Sequence, residues 1–109
     1  MSQFEERRTG IEAGLAHSDE MLFRVLARRN KLVGKWAARQ MGLSETEAEV
    51  YSKELVRAEF EEATGAAIVI KLLGDLTAAG VDIDDAKIRE ALAHKLVEAR
   101  RQIIEQSNQ

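Results

Sequence analysis

Residues 19–41 read DEMLFRVLARRNKLVGKWAARQM, and this stretch decides the fold. Leu22, Val25, Leu26, Leu32, Val33 and Trp36 recur at spacings of three, four and seven, which lines them along one side of an α-helix. The opposite side carries Arg24, Arg28, Lys31, Lys35 and Arg39. Phe23, Ala27, Gly34, Ala37 and Ala38 form a flank of mostly small residues, which would let a neighbouring helix approach closely. The pattern predicts an amphipathic helix from about Asp19 to Met41, with Arg29 inside its apolar stripe. A guanidinium there must find a partner or snorkel to water. A Glu from the next helix, or the ring of Trp36, is the expected answer.

Working outward, Gly42, Gly65 and Gly80 separate this helix from three further periodic segments. Glycine just past a helix end adopts the left-handed backbone without a Cβ penalty. Ser44-Glu45-Thr46-Glu47 is a capping box that opens a second helix ending near Glu62, with Ala48, Tyr51, Leu55 and Ala58 as its apolar row. A third helix runs from about Ala66 to Ala79, burying Val69, Leu72, Leu73, Leu76 and Ala79. A fourth starts after Asp82 or Asp84, with Ile88, Leu92, Leu96, Ala99 and Ile103 at helical spacing. Ile83 and Ile88 are placed as a hydrophobic staple around Asp84. No two-residue alternation is sustained, so no sheet is predicted. The expected fold is all-α: a four-helix bundle over residues 18–106 with a frayed tail at 107–109.

Residues 1–17 do not fit the bundle. Phe4, Ile11 and Leu15, with the stem of Arg8, fall on one helical face, yet Gly10 and Gly14 interrupt it at about 1 kcal/mol each relative to Ala. A short isolated helix is marginal even without that handicap. Such an arm, disordered or marginally helical when free, can fold on a partner. The alternative is a frayed terminus or a short helix packed on the bundle.

Composition narrows the function. The chain has 109 residues, a net charge of −3 and no cysteine or proline. One domain is expected at that length. The absence of cysteine excludes disulfides, thiol nucleophiles and Cys-based metal sites, and fits a reducing compartment. No apolar run approaches the roughly 20 residues of a membrane span, and Met1 to Glu6 lacks the pattern of a secretory signal, so no membrane insertion is expected. His17 and His94 are not at ligand spacing, and H-E-x-x-H, G-x-S-x-G, Walker and G-x-G-x-x-G patterns are all missing. His17 reads as a packing or capping residue and His94 as an exposed or edge residue. Glu61-Glu62 reads as a solvated helix end rather than an acid–base pair. Gly34 and Gly74, inside helical patterns, read as sites of close packing. Neither a catalytic residue nor a cofactor nor a metal is expected.

Charge is blocked along the chain. Residues 21–44 hold six basic and no acidic side chains, and residues 45–62 hold two basic and seven acidic. Helices one and two, packed antiparallel, would answer much of this charge internally, which lowers the case for nucleic acid. The basic face Arg24, Arg28, Lys31, Lys35 and Arg39 has three readings: a solvated face paired with helix two, a dock for an acidic protein, or a phosphate-contacting surface. The last predicts salt-dependent binding abolished by charge reversal at Arg24, Lys31 and Lys35.

The run Ala27-Arg28-Arg29-Asn30-Lys31-Leu32, then Gly34 and Trp36-Ala37-Ala38, resembles the zeta subunit of alpha-proteobacterial F-type ATP synthases. The likeness continues through Ala48-Glu49, Tyr51, Lys53-Glu54, Val56, Ala58 and Phe60-Glu61-Glu62, then Gly65, Asp75-Leu76 and Ala79-Gly80-Val81. Upstream, Phe4, Arg7, Glu12, Ala16-His17, Glu20 and Phe23 also match. The resemblance implies an inhibitor and not an enzyme: a four-helix bundle whose mobile N-terminal arm enters the interface of the alpha and beta subunits near gamma and blocks hydrolytic rotation. It implies a cytoplasmic protein, peripheral on the inner membrane through the ATP synthase. Carried over by position, the inhibitory contacts are Phe4, Arg7, Ile11, Glu12 and Leu15. The family's arm has Phe where Ile11 and Leu15 stand here, and is richer in Lys and Ala where this chain has Gly10 and Gly14. Smaller anchors bury less apolar area and the glycines raise the cost of folding the arm, so a weakened inhibitor is expected. The alternative is a helical docking module that uses the basic face without inhibiting an ATPase.

Overall fold

The structure, a computed structural model, describes the backbone of residues 2–61 and 66–107 and the side chains of residues 19–59 and 66–106. The described residues form four α-helices: α1 (Ser2–Gln40), α2 (Glu45–Glu61), α3 (Ala66–Ala78) and α4 (Asp85–Ser107). The described residues include no strand.

The helix ends follow from local chemistry. At the start of α2 the Ser44 hydroxyl accepts from the Glu47 N–H at 3.2 Å, and the Glu47 carboxylate accepts from the Ser44 N–H at 3.0 Å. Hydrogen bonding of the carboxylate to the Ser44 backbone N–H, and next to the Ser44 hydroxyl, holds the Glu47 carboxyl below its ordinary pKa. Asp84, not Asp82, caps α4, accepting from the Lys87 N–H at 2.9 Å. α1 and α3 end alike. Gly42 (φ 75°) and Gly80 (φ 83°) are left-handed, and the next N–H reaches back five residues, Leu43 to Ala38 and Val81 to Leu76, at 2.9 Å each. This is the Schellman arrangement, and Leu43 and Val81 pack on the core as it requires. Gly65 lies outside the described residues.

α1 differs from expectation at its start. It begins at Ser2 rather than near Asp19, and Gly10 and Gly14 lie within it. Extending an existing helix needs no new nucleus, so propagation tolerates residues that could not support an isolated helix.

The main core is built from Val33 and Ala37 of α1, Tyr51 and Leu55 of α2, Ile68, Val69, Leu72 and Leu76 of α3, and Ile88 and Leu92 of α4. A smaller cluster joins Val25 of α1 to Ala99 and Ile103 of α4, with Met21, Leu32 and Leu96 beside it. α1 is the shared element, packing chiefly against α2 and α4. Of the expected buried residues, Leu22 is 50% exposed and Ala79 is exposed. Ile68, absent from the expected stripe of α3, is fully buried. Gly34 meets α2 at close range, as the small flank predicts, whereas at Gly74 no described atom beyond its own helix backbone and chain neighbours lies within 4 Å of where a Cβ would stand. Close packing therefore does not explain Gly74.

Candidate partner-binding surface

The run Ala27–Trp36 carries both the family resemblance and the basic face, and its first feature is a buried polar knot. Arg29 lies in the apolar stripe and is answered from α2: its guanidinium stands 3.5 Å from the Glu59 carboxylate. Asn30, fully buried, accepts from Arg29 Nε at 3.0 Å and donates to Glu59 at 3.3 Å. Burial pushes the Arg29 guanidinium's pKa down, and the Glu59 charge pulls it back up. The expected Glu from helix two is thus Glu59, and Asn30 completes the knot. Periodicity alone did not single out Asn30; the signal was a lone amide on a helix face otherwise due for burial.

The basic face is divided between the two neighbours of α1. Lys31 and Lys35 both approach Glu49 of α2, at 3.8 and 3.5 Å. Arg29–Glu59 and Lys35–Glu49 run in opposite directions along the two helices, so α1 and α2 are antiparallel. Arg28 turns to α4, donating to Gln102 at 2.8 Å and to Gln106 at 3.4 Å. Arg24 and Arg39 are exposed. The two ion pairs to Glu49 contribute little stability, about 0–1 kcal/mol each, but with the Arg28 hydrogen bonds they occupy three of the five cations.

A second polar group joins α2 and α3. The Tyr51 hydroxyl donates to Asp75 at 2.7 Å, Lys71 stands 3.1 Å from the same carboxylate, and its ammonium lies 5.4 Å from the Tyr51 ring centre. Burial and the neighbouring carboxylate push the Tyr51 phenol's pKa up. His94 is exposed, 3.9 Å from Glu90.

On the other side of the knot a groove of about 240 Å³ opens between α1 and α2, lined by Asp19, Leu22, Phe23, Leu26, Ala27, Val56 and Glu59. Leu22 and Phe23 are each about half exposed. The side chains of Phe4, Arg7, Ile11, Glu12, Leu15 and His17, the pair Glu61-Glu62 and the tail 107–109 lie outside the described residues. No described helix is long and apolar enough to cross a membrane.

Comparisons with known proteins place this architecture. A solved structure, determined in solution by NMR, is 37% identical over 79% of this chain and 98% of its own, with a TM-score of 0.69. No curated protein is similar to the chain at a significant level. The model of the ATPase inhibitor subunit zeta family matches residues 1–102, which takes in the N-terminal segment, the polar knot and most of α4. The chain therefore belongs to the ATPase inhibitor subunit zeta family, and it is a regulator that associates with an ATP synthase rather than an enzyme.

Proposed function

We propose that residues 1–17 are the effector of this subunit and that the bundle is their carrier. The observation that supports this most is the reach of the family match, which starts at residue 1 and so includes the N-terminal segment. Phe4, Arg7, Ile11, Glu12 and Leu15 make the inhibitory contacts, in a cleft formed by the alpha and beta subunits beside gamma. The protein acts peripherally, on the cytoplasmic face of the inner membrane, wherever the ATP synthase exposes that cleft. Inhibition is weak for the family, because Ile11 and Leu15 are smaller than phenylalanine and Gly10 and Gly14 raise the cost of holding the segment helical.

The basic-face alternative receives less support. Lys31 and Lys35 face Glu49 and Arg28 faces Gln102, so a docking partner would first have to displace contacts within the chain.

ATP hydrolysis by the cognate F-type ATPase, stripped of its own zeta subunit, separates the two. The enzyme is titrated with the full chain and with a chain lacking residues 1–17. Inhibition by the full chain alone is expected. Equal inhibition by both would transfer the activity to the bundle.

A further inference from the structure

Leu22 and Leu26 are half-covered members of a stripe that is fully covered farther along the same helix. Val33 and Ala37, the next positions on that face at spacings of seven and four, have no exposed surface. Leu26 is half-buried and Leu22 is 50% exposed. Among the described residues, α2 lines this groove with Val56 and Glu59. In the other direction the stripe does not stop. Leu22, Leu15, Ile11 and Phe4 follow at spacings of seven, four and seven, and positions 4, 11, 15, 22 and 26 span an arc of only about 60° on a helix of 3.6 residues per turn. α1 runs through all of these positions without a break in its backbone.

We propose that this groove is a second docking surface, taken by an amphipathic helix of the ATP synthase that packs along the exposed side of Leu22 and Leu26. The inference rests on the reading that residues 1–17 engage the enzyme. Leu15 and Leu22 are about 10 Å apart along one helix, so a segment seated in the enzyme brings the groove onto the same surface. The occupant's chemistry follows from the lining. Leu22, Leu26, Ala27 and Val56 take an apolar side chain. Asp19, the acidic member not committed to the polar knot, takes a Lys or Arg beside it. An isolated arm would then bind less tightly than the intact chain, because half of the continuous stripe would be missing.

The test uses full-length chains in the hydrolysis titration, with circular dichroism melting as a control for folding. Leu22→Glu raises the apparent inhibition constant about tenfold, since it places a charge in an apolar contact, and Leu22→Met restores it. Asp19→Lys, a variant that leaves the apolar lining intact, also raises it. If Leu22→Glu and Asp19→Lys inhibit like the parent while Phe4→Ala/Ile11→Ala has lost inhibition, the groove is idle and the inhibitory reading survives. Absence of inhibition by the parent chain itself overturns both. A parent dimer in sedimentation that Leu22→Glu converts to monomer, with inhibition unchanged, assigns the groove to a second copy and overturns the proposal.

Discussion

The Cα of Ser52 lies 2.8 Å from the place a β-carbon on residue 34 would occupy, so α1 and α2 meet backbone to backbone at Gly34. Ser52 Oγ and Leu55 Cδ1 stand at 3.0 and 3.1 Å from the same point. Gly34→Ala gains about 1 kcal/mol of helix propensity. It must also push α2 away, because a backbone atom cannot swing aside. Overpacking of this kind costs about 1–3 kcal/mol. A lower urea midpoint with an unchanged slope is expected, and a midpoint at or above the parent's would mean the helices can part freely.

Gly74 makes the opposite case. It is exposed in the middle of α3, and no described atom beyond its own helix backbone and chain neighbours lies within 4 Å of its Cβ position. Gly74→Ala therefore collects the propensity gain without a clash, about 1 kcal/mol, which raises the melting temperature by roughly 4–8 °C in a domain of this size. A lower melting temperature would show that an unseen contact needs the glycine.

Glu59 holds both the Arg29 guanidinium and the Asn30 amide. Glu59→Ala leaves a largely buried cation and a buried amide unanswered, at a cost of about 2–3 kcal/mol after allowance for partial exposure. Arg29→Met added to Glu59→Ala removes the stranded charge and recovers part of that loss in chemical denaturation. A double variant less stable than the single one would mean that the guanidinium is not stranded by loss of Glu59.

Tyr51 is the chain's single tyrosine, so tyrosinate absorbance reports it alone. Its folded pKa is raised, by burial first and then by the bond to Asp75. A raised pKa means that its contribution is fully present below the ordinary phenol value of 10.0 and is lost as pH rises toward the folded one. Ionisation is expected only together with alkaline unfolding, and Tyr51→Phe flattens that part of the stability–pH curve. Titration near 10.0 in a protein still helical by circular dichroism would refute the burial.

Gly10 and Gly14 set the strength of inhibition if residues 1–17 act as a helix. Gly10→Ala/Gly14→Ala recovers about 1 kcal/mol at each site, close to a 30-fold gain in potency over both. Unchanged potency in the hydrolysis assay would mean that the segment binds in another conformation.

Number and type of helices, the capping box at Ser44, the left-handed Gly42 and Gly80, and the acidic partner for Arg29 were all legible in the sequence. Each depends on neighbours within a few residues, or on a chemical need that allows few answers. The family was legible for the same reason, since the run Ala27–Trp36 concentrates unusual choices in one helix. What periodicity could not state was how far a partner helix reaches. Leu22 and Val33 look alike on a helical wheel, yet one is half exposed and the other fully buried. Gly34 and Gly74 look alike too, and only the approach of Ser52 separates them. The sequence by itself determined which faces are apolar and the helix ends at Gly42, Ser44 and Gly80, because those are properties of one segment. The tertiary structure alone decided which parts of those faces are covered, because burial is a relation between two segments.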